Sequence, residues 1–263
     1  LTKREPAEES CDAEVYRSMV GGLLYASHCT RPDVSFAVMQ LARHVNDPSV
    51  AHMRAARRVL SYLYTTKRRG LTWHANGPSR VVGYSDASWN SEEGAKSVSS
   101  FVFMLRGAAI SYSSKLQSVV ALSSSEAEYV ALSWAAREAM WLRRLETEIM
   151  GTPVDAAPMV LFEDNTTAAH WAVEGGHHQR QKHVEVYHHF IRDKVKSGVF
   201  SVMYISTANQ LADVNTKLLP YDTHSRLSGV VMGELAVDVP RSHVTATNVG
   251  YDPRDAERFV KPG

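Results

Sequence analysis

Four carboxylates carry the chemistry that this sequence suggests. Asp86 lies in Arg80-Val-Val-Gly-Tyr-Ser-Asp-Ala-Ser-Trp89, just past the middle of an apolar, strand-like run. A charged carboxylate there is costly unless it is paired or binds a cation. Glu128 lies in Ser123-Ser-Ser-Glu-Ala-Glu-Tyr129, at the head of a long helical pattern. Asp164 ends a second apolar strand in Val160-Leu-Phe-Glu-Asp-Asn165, and Asp213 closes Ala208-Asn-Gln-Leu-Ala-Asp213 at the start of a short helix. All-oxygen donors without neighbouring cysteine suit hard ions such as Mg²⁺, for which Mn²⁺ can substitute. Two such ions a few ångströms apart would clamp a phosphodiester for in-line hydrolysis.

The helix offers two carboxylates, Glu126 and Glu128, and only one can face the ions. Two residues apart on a helix, they point about 200° from each other. Glu128 shares its face with Ala131, Leu132, Ala135, Ala139 and Leu142, all small or apolar. That face is expected on a sheet, with its first turn reaching the strand ends. Glu126 shares its face with Ser133 and Arg137, which points to a more solvated side. In the first turn it is favoured by the helix dipole and can cap. Glu128 is therefore the expected ligand.

Ser88, Ser123, Ser124, Ser125 and Asn165 flank the carboxylates. They stand where sugar-phosphate backbone and 2′-hydroxyl contacts would be made, although each serine alone serves equally as a helix cap. From Pro48 to Ser85 there is no Asp or Glu, while Arg54, Arg57, Arg58, Lys67, Arg68, Arg69 and Arg80 fall there. This is either a local field that attracts phosphates or a solvated helix face. His177, His178, His183, His188 and His189 form a cluster. Their spacings of five do not align on one helix face, where three or four would, so ordinary packed or solvated histidines are the first reading and a substrate-side role for one of them the alternative.

The elements that must position these groups follow from the pattern of apolar residues. Residues 1–12 are polar and acidic and are expected to be disordered. Three helices are expected next: Ala13 to His28, Asp33 to Asn46 behind Pro32, and a third to about Lys67 capped by Ser49. In the third, Val59, Leu60, Leu63 and Tyr64 are expected to pack and Arg54, Arg57 and Arg58 to face outward. Strands are expected at Val81–Asp86, Val98–Leu105 and Ala108–Ser113, with Arg106-Gly107 as a tight hairpin turn. A helix from Ser124 to about Met150 follows, then a strand from Met159 to Glu163. Helices are expected from near Asn165 and from Lys182 to Lys196, a fifth strand over Val199–Ser206, and a last helix near Ala208. The order predicts an α/β fold with a five-stranded mixed sheet and helices on its faces, preceded by a small helical module. Residues 221–263 show no trustworthy periodicity, so a short helix at most and a poorly ordered tail are expected.

With 263 residues the chain can bury a substantial core in one or two domains. Its formal net charge of +1 gives no overall signal for nucleic acid. Cys11 and Cys29 form neither a zinc spacing nor a disulfide framework, which fits a reducing intracellular compartment. No apolar run approaches a membrane span, and no signal peptide is visible. The chain begins with Leu, which points to a fragment or a processed product.

The motifs resemble a known family. Ser-Asp-Ala-Ser-Trp, Leu-Ser-Ser-Ser-Glu-Ala-Glu-Tyr, Glu-Asp-Asn, Gln-Leu-Ala-Asp-Val-Asn-Thr-Lys and Lys182-His-Val-Glu-Val-Tyr-His-His-Phe-Ile-Arg192 look like the ribonuclease H domain of copia-type retrotransposon polyproteins. Tyr16-Arg-Ser-Met-Val-Gly-Gly-Leu-Leu-Tyr25 and Thr30-Arg-Pro-Asp-Val-Ser-Phe-Ala-Val38 resemble the end of the same polyprotein's reverse transcriptase. The resemblance implies a ribonuclease H-like fold over residues 80–220 and a remnant of the reverse transcriptase thumb or connection over residues 13–75. It also implies cleavage of the RNA strand of RNA–DNA hybrids with two Mg²⁺ ions. Asp86 would bridge both ions, Glu128 and Asp164 would complete one site, and Asp213 would bind the other. Products would carry 5′-phosphate and 3′-hydroxyl ends. The implied partners are the hybrid and the remainder of the Pol polyprotein, in the cytoplasm within a virus-like particle. Three positions depart from the pattern: Glu185 where Asp is usual, Asn215 where an apolar residue is usual, and Leu218 in place of a common proline. The other reading is a catalytically silent nucleic-acid-binding module or structural relic with the same fold. Reverse-transcriptase active-site motifs are not present in this stretch, so polymerisation is not claimed for it.

Overall fold

A computed structural model describes residues 1–89, 96–150, 158–174, 185–236 and 244–246. Strands β1 (Val82–Ser88), β2 (Val98–Leu105) and β3 (Ala108–Leu116) form an antiparallel meander. β1 also pairs in parallel with β4 (Met159–Glu163), and β4 in parallel with β5 (Phe200–Ile205). These are the five expected strands. A sixth, β6 (Val244–Ala246), pairs antiparallel with β5 and gives the order β3-β2-β1-β4-β5-β6. Val-Thr-Ala is too short a run to announce itself by alternation. The β2–β3 turn uses Arg106 (φ 54°) and Gly107 (φ 89°), so both central residues are left-handed, as a hairpin that matches strand twist requires. A Cβ on Gly83 would meet Phe103 Cε1 at 2.5 Å and Leu161 Cδ2 at 2.7 Å. The glycine thus lets both side chains close over β1.

Each face of the sheet carries its own core. On one side lie α4 (Ser124–Met150), α5 (Thr166–Val173) and α6 (Glu185–Lys196). Tyr129, Leu132, Ala135, Ala139 and Leu142 of α4 pack there against Phe101, Phe103 and Leu161. Burying a side chain such as Leu132 contributes roughly 1.5–3 kcal/mol. On the other side a 3₁₀ turn (Leu211–Asn215) and α7 (Tyr221–Val231) cover Tyr84, Val102, Phe162 and Met203. The helix expected from Ala208 is two 3₁₀ turns, and the α-helix begins after Pro220. Leu227, Val230 and Val231 of α7 are buried, so the ordered core runs past residue 220.

The helical module comprises α1 (Ala13–Cys29), a 3₁₀ turn (Pro32–Val34), α2 (Ser35–Ala42) and α3 (Val50–Thr65). Ser49 caps α3 as expected, and His52 closes the box by accepting from the Ser49 N–H at 3.0 Å. Two expectations fail here. Leu60 and Tyr64 are exposed, because the row that packs is Met53, Ala56, Val59 and Leu63, about a quarter turn away. Residues 1–12 are not disordered: Cys11 N–H donates to Pro48 O at 3.1 Å, Val50 N–H donates to Glu9 O at 3.0 Å, and Arg4 pairs with Asp47 at 2.8 Å.

Asp33 joins the module to the sheet. Its buried carboxylate accepts from both arms of Arg31 at 2.9 and 2.8 Å and from the Tyr62 hydroxyl at 2.8 Å, with Arg69 at 3.5 Å. Arg69 in turn pairs with Glu234 at 2.8 Å, just beyond α7, and Tyr112 of β3 donates to Ser27 O at 2.9 Å. The Arg-Pro-Asp motif is therefore the buried joint between helices and sheet.

Candidate active site

Strand alternation places Ser85 and Ala87 toward α4, and Tyr84 and Asp86 toward α7 and the 3₁₀ turn Leu211–Asn215. The Asp86 side chain therefore emerges beside Asp213, while its neighbour Ala87 faces the start of α4. Glu128, in the second turn of α4, crosses that gap, and its Oε2 accepts from the Ala87 N–H at 2.6 Å. Asp164 follows directly on β4, the parallel neighbour of β1. One oxygen from each of Asp86, Glu128 and Asp164 lies within 4.8 Å of the others. Asp86, Glu128 and Asp213 are 1, 7 and 4% exposed, and Asp164 is half-buried.

Negative charge crowded into a buried site drives the carboxyl groups toward their neutral forms. Burial, then the charge of Asp86, pushes Asp213 up to about 8, against the opposing pull of Lys217. Glu128 is held well above the usual carboxylate range by burial and then by Asp86. Asp86 is raised by burial, with Lys217 opposing. A hard divalent cation relieves this repulsion, and the all-oxygen donor set fits one.

Three participants escaped the sequence reading. Lys217 places Nζ 2.7 Å from Asp213 Oδ1 and 3.6 Å from Asp86 Oδ1. Its signal was the i,i+4 spacing from Asp213. Thr216 donates its hydroxyl to Asp86 Oδ2. Glu163 is fully buried, where it accepts from the Ser85 hydroxyl at 3.0 Å and the Asn165 N–H at 3.2 Å. Burial and the adjacent Asp164 push its carboxyl well up. Read as the last apolar-strand position, Glu163 gave no sign of a fifth carboxyl beside the site.

Glu126 is a correction. It is fully buried, not on a solvated side, and Ser133 on the same face is buried too. The reason is capping: Glu126 Oε2 accepts from the Leu122 N–H at 2.7 Å, while Ser123 Oγ accepts from the Glu126 N–H at 3.2 Å. This folds the chain before α4 over the side chain.

Among the flanking polar residues, Asn165 caps α5 by accepting from the Ala168 N–H at 3.0 Å, and Ser125 donates to the same oxygen at 3.2 Å. Ser124 is exposed, and Ser88 is half-buried. Arg54, Arg57 and Arg58 are exposed on α3. Arg58 borders a cavity of about 1190 Å³ that is also lined by Ser88, Thr216 and Lys217, neighbours of the carboxylates in the chain, though by none of the four carboxylates themselves. His177, His178 and His183 lie outside the described residues, as do the side chains of Glu185, His188 and His189.

No family model matches the chain. Curated relatives do. It is 36% identical over 209 residues to the retrovirus-related Pol polyprotein from transposon RE1 of Arabidopsis thaliana, covering 79% of this chain and 14% of that one. Identity to the counterpart from transposon TNT 1-94 of Nicotiana tabacum is 36% over 206 residues, covering 78% and 15%. The chain belongs to the copia-type retrotransposon Pol polyprotein family. The chain spans only about a seventh of the length of those polyproteins. Secreted RxLR effector protein 161 of Plasmopara viticola is 45% identical over 128 residues, which cover 48% of this chain and 90% of that protein. A solved ribonuclease H1 from Halobacterium salinarum overlays with a TM-score of 0.39 at 15% identity, covering 52% of this chain and 95% of that one, a likeness too low to carry weight. The chain's sheet joins an antiparallel β3-β2-β1 half to parallel β4 and β5, with flanking helices. Among the described residues no helix is long and apolar enough to cross a membrane.

Proposed function

We propose that this Pol segment hydrolyses the RNA strand of RNA–DNA hybrids with two Mg²⁺ ions, for which Mn²⁺ can substitute. It would do so as the ribonuclease H part of a reverse transcriptase polyprotein. The observation that carries this reading is the approach of Asp86, Glu128 and Asp164 oxygens to within 4.8 Å of one another, with Asp213 beside them. Asp86, Glu128 and Asp164 would hold one ion, and Asp86 and Asp213 the other. Bound divalent cations would supply an activated water and stabilise charge on the departing 3′ oxygen.

The chain's own residues prepare that chemistry. Thr216 fixes one oxygen of Asp86, and the Ala87 N–H fixes one of Glu128. The other oxygens are left to meet cations. Ser88, Ser123, Ser124, Ser125 and Asn165, which flank the carboxylates in the chain, would read a 2′-hydroxyl. Arg58 supports a phosphate contact along the groove it shares with Ser88 and Lys217, and Arg54 and Arg57 extend the positive field on the same helix. Residues 13–75 are read as the end of the reverse transcriptase, and residues 80–220 with α7 as the ribonuclease unit. The implied partners are the hybrid and the rest of the polyprotein, and the implied setting is the cytoplasm.

The test compares an RNA–DNA hybrid, duplex RNA and duplex DNA, each labelled, with Mg²⁺ or Mn²⁺. Cleavage confined to the RNA of the hybrid, with 5′-phosphate and 3′-hydroxyl ends, is expected. Folded protein that binds the hybrid but leaves it uncut with either ion would establish the non-catalytic binding module instead.

A further inference from the structure

We propose that Lys217 stands in for the second cation and must be displaced before that cation binds. The inference rests on the two-ion reading above. Lys217 Nζ is 2.7 Å from Asp213 Oδ1 and 3.6 Å from Asp86 Oδ1, the two carboxylates that the second ion would share. Thr216 occupies the other Asp86 oxygen, so the Oδ1 atoms facing the ammonium are the ones that remain for a metal. A magnesium ion sits about 2.0–2.1 Å from its oxygens. An ion that close to both Oδ1 atoms cannot sit there while the ammonium stands 2.7 Å from Asp213 Oδ1 and 3.6 Å from Asp86 Oδ1.

The arrangement makes the two halves of the site unequal. Asp86, Glu128 and Asp164 come together as three oxygens within 4.8 Å of one another, and Lys217 Nζ stands 3.6 Å from Asp86 Oδ1, against 2.7 Å from Asp213 Oδ1. At Asp213 the lysine ammonium already stands where a cation would, 2.7 Å from Oδ1. The first ion therefore binds without expelling a charge, and the second ion competes with Lys217. The lysine is also built to leave. Its side chain is 34% exposed on a flexible stem, and the next residue, Leu218, is 87% exposed. Lys217 would thus hold the metal-free site together and weaken the second metal site.

Calorimetric titration of Mn²⁺ into the whole chain should resolve one tight ion and a second at least about tenfold weaker. Lys217→Met should raise the affinity of the second ion about tenfold or more by removing the competing charge. It should also lower the metal-free melting temperature by about 5 °C or more, because buried carboxylates lose their cation. Should that variant fail to fold, the parent protein gives a second readout. Peptide-resolved acylation should show labelling of Lys217 rising several-fold on saturation with Mg²⁺, while Lys194, paired with the exposed Asp193, stays level. Ions that bind while Lys217 labelling stays flat, or a Lys217→Met protein with unchanged second-ion affinity, overturn the inference. If the same parent protein still cuts the hybrid, the ribonuclease reading survives that outcome.

Discussion

Glu128 Oε2 accepts a 2.6 Å hydrogen bond from the backbone N–H of Ala87, the residue directly after Asp86. One contact therefore sets the distance between the first turns of α4 and the end of β1, and with it the distance between two candidate metal ligands. Glu126, two residues earlier, spends its carboxylate on the chain before the helix, at the Leu122 N–H.

This division of labour predicts different outcomes for two similar variants. Glu128→Gln should abolish metal-dependent cleavage of the hybrid. Glu126→Gln keeps an oxygen that can accept from Leu122, so it should cost at most about 1 kcal/mol of stability and retain most activity. Paired cleavage assays and denaturant melts check both. Loss of activity in Glu126→Gln with retention in Glu128→Gln would move the site by one face of the helix.

Stability should depend on pH in a direction set by the buried carboxyl groups. Asp213 is pushed up to about 8 by burial and by Asp86, against about 3.9 in an unfolded chain. Between those values the folded protein holds a proton that the unfolded chain has lost. Its contribution to stability is therefore fully present below about pH 4 and is lost as pH rises through about 8. The metal-free protein should melt lower at about pH 8 than at about pH 5, and Mg²⁺ should restore stability most at the higher pH. A metal-free melting temperature that climbs over this interval would contradict the electrostatic account.

Asn215 is fully buried, and neither of its side-chain polar atoms finds a hydrogen-bond partner among the described residues. Its backbone carbonyl accepts from the Ser114 hydroxyl at 2.6 Å. A buried amide left unpaired costs about 1–3 kcal/mol. Asn215→Leu should therefore raise the melting temperature by a few degrees, which calorimetry would register. A lower melting temperature would show that the amide is satisfied in solution.

Asp33 sits under Arg31, Arg69 and Tyr62 with no exposure of its side chain. Asp33→Asn leaves Arg31 without its counter-charge and Arg69 with Glu234 alone, and should cost about 3–5 kcal/mol in denaturant unfolding. A loss below about 1 kcal/mol would show that the joint is held by apolar packing alone.

Much of the fold was legible because its signals are local. Short apolar runs marked β1, β2, β4 and β5, Arg106-Gly107 marked the hairpin, and Ser49 marked the start of α3. The small-residue row Ala131, Ala135 and Ala139 also announced which side of α4 meets the sheet. What escaped depends on tertiary pairing. Leu60 and Tyr64 read as core because they are apolar, yet the helix turns them outward. Residues 1–12 read as disordered, yet they gain backbone partners at Pro48 and Val50 that only the folded chain provides. Glu163 and Lys217 stand inside recognisable motifs, but no role is legible for them there. Their roles came from what the fold sets opposite them, Ser85 in one case and Asp213 with Asp86 in the other. The burial of Glu126 was misjudged because the segment covering it precedes the helix and follows no period.

Asp86 joins both halves of the site, so the most direct test compares the parent with Asp86→Asn on an RNA–DNA hybrid carrying labelled RNA, with Mg²⁺. The account predicts cleavage by the parent and none by Asp86→Asn. The variant should melt at or above the parent's metal-free temperature, because a neutral amide relieves repulsion in the buried cluster. Undiminished cleavage by a folded Asp86→Asn protein would contradict it.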